Sequence, residues 1–181
     1  MITEALTVHV TPMRRRHVRA VLRIEEQVYP RPWSMSLFLS ELALRTTRAY
    51  LVARVGREVV GYAGLMMTAE DGHVTTIAVD PRWQRHKIGT RLLLGLAREA
   101  IARGAENMTL EVRLSNKGAQ ELYRRFGFSP VGVRKGYYQE TNEDALVMWV
   151  HKVNTPDYAA LLDGLERQVP GETLFEEPRR W

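Results

Sequence analysis

The distribution of apolar residues predicts an α/β protein, a mixed and mostly antiparallel central sheet with helices on both faces. Three observations carry this. Strand-like runs at 50–55, 59–67 and 73–79 are separated only by Gly56-Arg57-Glu58 and Glu70-Asp71-Gly72, turns short enough to imply an antiparallel meander. An amphipathic helix follows at 89–103, and strand and helix patterns then alternate through 108–151. A chain of 181 residues holds one such domain with a sizeable core.

In order along the chain, Thr11 and Pro12 read as the N-cap and first position of a helix over 12–28, on which Val18, Val21, Leu22 and Val28 recur near helical spacing. Tyr29-Pro30-Arg31-Pro32-Trp33 breaks it, because a residue before proline is driven out of the helical region, and Ser34 caps a second helix carrying Leu37, Phe38 and Leu42. After the meander, Leu92, Leu93, Leu96, Ala97 and Ala100 form one face of the 89–103 helix, which Gly104 closes. A strand is expected over 108–114, a helix opened by Ser115-Asn116 and closed by Gly127, and strands over 130–137 and 145–151. The domain is placed at 1–152. Residues 153–181 read as a C-terminal appendage with a short helix at about 156–167 that lays Tyr158, Leu161, Leu162 and Leu165 on a hydrophobic surface.

Composition excludes several classes. There is no cysteine, hence no disulfide, thiolate metal site or cysteine nucleophile. His9, His17, His73, His86 and His151 show no metal spacing, so no metal is expected. No apolar run is long enough to span a bilayer and the N-terminus lacks a signal-peptide core, so the chain reads as cytoplasmic with no membrane partner. The net charge is +5, and its densest cluster, Arg14, Arg15, Arg16, His17, Arg19 and Arg23, has no interleaved aromatics to stack on bases. It reads as a solvated helix face, and no direct nucleic-acid contact is expected.

The most informative stretch is the strand-to-helix junction from Val79 to Thr90. Unpaired backbone N–H groups at a helix start attract anions, and Arg85, His86 and Lys87 add positive field. The stretch matches neither the Rossmann nor the P-loop glycine pattern. It resembles instead the cofactor loop of GNAT acetyltransferases, a Gln or Arg, two residues, Gly, one residue, then Gly or Ala. Gln84 and Gly89 match, whereas Lys87 stands at the first glycine. A second set of blocks resembles bacterial ribosomal-protein alanine N-acetyltransferases: Leu110-Glu111-Val112-Arg113, Ser115-Asn116, Leu122-Tyr123, Phe126-Gly127-Phe128, Tyr137-Tyr138 and Asn142-Glu143-Asp144-Ala145, with Tyr29-Pro30 and Pro32-Trp33-Ser34 upstream. The resemblance spans residues 6–151 and leaves out the tail.

It implies a GNAT acyltransferase fold and acetyl-CoA as co-substrate. It also implies cofactor contacts from Ile77, Ala78, Val79, Arg85, His86, Lys87, Ile88, Gly89, Thr90 and Asn116, with Glu111 as general base and Tyr123 as general acid. Trp33, Tyr137, Tyr138 and Asp144 would contact the substrate, expected to be the N-terminal amine of a protein, a ribosomal protein in the analogy. As bare sequence features, Glu111 is a polar residue on the solvent side of an alternating strand and Tyr123 a core aromatic at helical spacing. Two alternatives stay open at this point: a small-amine acetyltransferase on the same fold, and a non-catalytic acetyl-CoA sensor.

Overall fold

The structure is a computed structural model that describes residues 5–176. The described residues form one eight-stranded sheet and five α-helices. The strands are β1 Thr7–Pro12, β2 Arg48–Val55, β3 Glu58–Thr68, β4 Asp71–Val79, β5 Asn107–Arg113, β6 Ser129–Tyr138, β7 Glu143–His151 and β8 Glu172–Phe175. The helices are α1 Val18–Val28, α2 Met35–Ala43, α3 Ile88–Ala102, α4 Lys117–Arg125 and α5 Pro156–Arg167. The sheet order is β6-β7-β5-β4-β3-β2-β1-β8. Pairing is antiparallel except at β4–β5, which α3 connects as a crossover, and at β1–β8.

Each face has its own core. On one side Leu92, Leu93, Leu96, Ala97 and Ala100 of α3 pack with Val8, Leu51, Leu65, Leu110 and Met148 of the strands, together with Phe126, Leu162 and Leu165. On the other, Val18, Val21 and Ile24 of α1 and Phe38 of α2 meet Tyr50, Val52 and Tyr62. The α1–α2 pair covers the β2–β4 part of its face, since its contacts run to those strands. Over β5–β7 that face is left more open, with Thr109, Glu111 and Arg113 only partly buried.

One expectation is corrected. Thr11 and Pro12 close β1, opposite Val52 and Leu51, and do not open a helix. A 3-10 turn at Arg15–His17 follows, and α1 starts at Val18. The φ that proline fixes suits a helix start and an extended strand end alike, and the buried alternation of Val8 and Val10 decides for the strand. After Lys152 the short helix forms where the sequence places it, and the hydrophobic surface it meets belongs to this same chain, with Leu161 left exposed. α5 forms at Pro156–Arg167 and sends Tyr158, Leu162 and Leu165 into the main core, with Tyr158 Oη donating to the Phe126 carbonyl at 2.9 Å. β8 then adds a strand beside β1.

Candidate active site

The site begins where two strands part. β4 and β5 pair only from Asp71–Asn107 to Val74–Leu110. Beyond that, Thr75 is bulged out of the β3–β4 register, between the pairs Leu65–Val74 and Gly64–Thr76. β4 continues along β3 and β5 along β7. The fork opens a cleft of about 800 Å³, lined on one side by Thr75 to Val79 and on the other by Leu110 to Arg113. Parting the strands leaves one backbone edge of each without a ladder partner, so each edge can receive an extended ligand.

The start of α3 closes one end of the cleft, with Trp83, Gln84, Arg85, Lys87, Ile88, Gly89 and Thr90 on its wall. No side chain caps this helix and no acidic residue sits in its first turn, so its N–H groups and positive dipole end face the cleft. Lys87, at the N-cap, has φ +57°, and Arg85 has φ +68°. Two non-glycine residues in the left-handed region mark a loop held by its surroundings. His86 lies off the cleft lining; its Nδ1 is 3.0 Å from the Gln84 carbonyl and its ring packs on Trp83. It braces the loop from behind.

Glu111 sits at the fork, its side chain only 10% exposed. Its Oε2 is 2.6 Å from His73 Nε2 and its Oε1 3.6 Å from Arg134 Nη1. The His73 hydrogen bond, more than the Arg134 charge, holds the carboxyl below the usual carboxylate range despite burial. Tyr123, from α4, is buried on the cleft wall, and burial pushes its phenol well above the ordinary value, with Tyr29 and Tyr138 adding to the shift. A phenol so placed stays protonated at neutral pH. Tyr29 is anchored by its hydroxyl, 3.1 Å from Thr76 Oγ1 and 3.2 Å from the Ile77 carbonyl.

Of the remaining expected site residues, Ile77, Ala78, Val79, Asn116, Trp33 and Tyr138 line the cleft. Asn116 spends its side chain as the N-cap of α4, accepting from Ala119 N. Tyr138 lies under Arg113, whose guanidinium is 3.9 Å from the ring centroid. Tyr137 lies off the lining, partly exposed and edge-on to Tyr138. Asp144 also lies off it, its carboxylate accepting from Gly136 N at 2.7 Å to brace the β6–β7 turn.

Sequence reasoning missed two groups. His73 is brought to Glu111 by parallel pairing across a crossover, which no local spacing announces. Glu25 lines the cleft from α1, accepting from Trp33 N at 3.1 Å and from Tyr62 Oη, and burial raises its carboxyl. Its signal was available: a carboxylate on the Val18, Val21, Val28 stripe of an amphipathic helix.

A forked parallel strand pair with an uncapped helix start at its mouth and a carboxylate at its base is the architecture of an N-acetyltransferase of the acyl-CoA-using kind. The chain belongs to the Acetyltransferase (GNAT) family, whose profile matches residues 18–128. Within it, the chain is 36% identical over 141 residues to a Bacillus subtilis protein named putative ribosomal protein bS18-alanine N-acetyltransferase, covering 78% of this chain and 93% of that one. It is 34% identical over 131 residues to the ribosomal protein bS18-alanine N-acetyltransferase of Escherichia coli K12, covering 71% and 87%. The crystal structure of the ribosomal-protein-S18-alanine N-acetyltransferase from Escherichia coli aligns over 80% of this chain and 94% of that chain, with TM-score 0.72 and 28% identity.

Proposed function

We propose that this enzyme acetylates the N-terminal α-amine of a protein, an alanine-first ribosomal protein, and that Glu111 and Tyr123 move the protons. The observation that carries the reading is that the Glu111 carboxylate, the Tyr123 side chain and the uncapped start of α3 line one cleft. The names of the Bacillus and Escherichia relatives supply the acceptor class.

The cleft suits acetyl-CoA in its two chemically distinct parts. Arg85, Lys87 and the N–H groups of Ile88, Gly89 and Thr90 hold the pyrophosphate, and the free edge of β4 at Ile77, Ala78 and Val79 accepts the amide-bearing arm. Asn116 shapes the wall beside that arm through its cap on α4. Bound there, acetyl-CoA supplies an activated thioester. Glu111, ionised at neutral pH, takes a proton from the incoming ammonium directly or through one water. Tyr123 Oη, kept protonated by burial, gives its proton to the departing sulfur. His73 Nε2–H, donating to Glu111 Oε2, fixes the direction of the carboxylate.

The acceptor enters across the open face over β5–β7, past Trp33 and Tyr138. Tyr137 and Asp144 serve it indirectly, by packing on Tyr138 and by bracing the β6–β7 turn. An α-amine with pKa of about 7.7 to 8.0 yields its proton more readily than a lysine at about 10.4, a difference of roughly 3 kcal/mol. Initial rates on an alanine-first peptide, on the same peptide with a blocked N-terminus and an internal lysine, and on a polyamine test this reading. The free peptide is expected to react fastest. Faster turnover of either other acceptor overturns the N-terminal assignment, and mass spectrometry of ribosomal-protein N-termini with and without the enzyme tests the alanine.

A further inference from the structure

Among the described residues, one of the largest fully buried side chains is an arginine that the proposed acetyl-transfer site does not use. Arg91, on the first turns of α3, is 1% exposed. Among the described residues its partners are carbonyls and a hydroxyl, with no carboxylate. Its Nη1 donates to Thr173 Oγ1 at 2.6 Å and to the Glu172 carbonyl at 3.1 Å, and its Nη2 to the Pro170 carbonyl at 2.6 Å. Its Nε donates to the carbonyl of His86 at 3.3 Å. A buried guanidinium is tolerated only when its donors are used, and here the fork joins two distant parts of the chain, the loop before α3 and the C-terminal segment.

Each part needs or offers support. His86 lies between Arg85 and Lys87, both left-handed, and such backbone persists only where neighbours over-determine it. The C-terminal segment is itself anchored. The Glu172 amide donates to the Leu6 carbonyl at 2.9 Å, and Gly171, at φ +77°, passes so close that a Cβ there would fall 2.2 Å from that oxygen. The segment follows one stripe of α3: after Arg91 come Gly95, whose missing side chain leaves room for Leu51 and Val10 with the Phe175 ring beside them, and Arg98, whose guanidinium lies 5.3 Å from the centroid of that ring.

We propose that Arg91 is a positioning residue for acetyl-CoA, tying the C-terminal strand to the His86 carbonyl and so holding the cofactor loop with its amides turned into the cleft. The proposal rests on reading the start of α3 as the pyrophosphate site. It gives the C-terminal segment a part in the reaction without any contact to substrate.

The test is steady-state kinetics of the full-length chain with an alanine-first peptide, with melting temperature measured alongside. Arg91→Met is expected to raise the acetyl-CoA KM about tenfold, the size of losing a hydrogen bond from a charged donor, while kcat at saturating acetyl-CoA and the peptide KM stay near wild type. Arg91→Lys, which keeps the charge and loses the fork, should fall between. Thr173→Val removes one partner without touching α3 and should raise the acetyl-CoA KM in the same sense. It decides the matter if Arg91→Met does not fold. An unchanged acetyl-CoA KM in these folded variants, or a fall in kcat alone, overturns the proposal. Calorimetric titration of the Arg85→Ala, Lys87→Ala double variant with CoA separates the two ideas. Weakened binding there beside unchanged binding in Arg91→Met leaves the pyrophosphate site standing and removes Arg91 from it, whereas unchanged binding in both removes the site itself.

Discussion

Glu111 is held between His73 on β4, at hydrogen-bond distance, and the charge of Arg134 on β6, and for the base role proposed for it the hold has a kinetic cost and a benefit. Lowering the carboxyl's affinity for protons makes it a weaker base but keeps it ionised and fixed in direction. Glu111→Gln keeps the shape and removes the proposed proton acceptor, so on that proposal kcat should drop by about a hundredfold to ten-thousandfold with little change in the acetyl-CoA KM. His73→Ala removes the main cause of the lowered pKa. The acid limb of the kcat profile, where Glu111 becomes protonated, should therefore move to higher pH in that variant. A limb that stays put would show that the His73 contact does not set the ionisation of Glu111. Away from the cleft, the titration of His17 is coupled to the fold. His17 accepts from Arg14 N through Nδ1 at 3.0 Å. Burial first, then the charges of Arg16, Arg54 and Arg14, lowers its pKa from 6.5 to about 4. The folded state thus takes up the proton later than the unfolded chain does. Its contribution is whole above pH 6.5 and is lost as pH falls toward 4, by up to about 3 kcal/mol. The melting temperature of His17→Asn, plotted against pH, should lose that slope.

At the scale of elements, the α3 start combines strain with charge. Lys87 occupies the left-handed region, at the position where the loop pattern that the sequence resembles has glycine. Lys87→Gly should relieve strain and raise stability by about 0.5 to 1 kcal/mol, while weakening acetyl-CoA binding through the lost charge. Urea denaturation and calorimetry would read the two effects separately, and a loss of stability on substitution would mean the conformation costs nothing. That position was legible in the sequence, because a lysine standing where a glycine is expected is itself a conformational signal. So were the meander, α3, α4 and the Ser34 cap, each marked by its period or by a turn residue at its end. The start of α1 was not, since Thr11-Pro12 suits a strand end as well as a helix start. Nor was β8. Four residues with alternating half-burial carry little signal, and their partner β1 lies at the other end of the chain. The same reason hid His73 beside Glu111: a parallel pair is set by the crossover between its strands, and α3 determines where they part.

For the whole molecule, the last 24 described residues decide how far the core extends beyond the stretch, 18–128, that matches the family. Leu162 is 1% exposed, and Tyr158 and Leu165 are buried beside it against Phe126 and Val150. Arg98 of α3 pairs with Asp163 and Glu166 of α5. Such half-exposed ion pairs add little, so the apolar contact carries the attachment. Leu162→Ala should then cost about 2 to 5 kcal/mol, as other large-to-small core changes do. A chain ending at Lys152 loses all of these contacts at once. It also leaves the Arg91 guanidinium without three of its four acceptors and turns β1 into an open sheet edge. The summed loss rivals the whole stability of an ordinary domain, about 5 to 15 kcal/mol, and an open edge invites pairing between chains. The truncated chain is therefore expected to lack a cooperative urea transition, or to associate on size exclusion, and to show no acetyl transfer in either case. A monomeric truncate that melts cooperatively near the full-length temperature and still turns over acetyl-CoA would show that α5 and β8 are attached to a complete domain rather than part of its core.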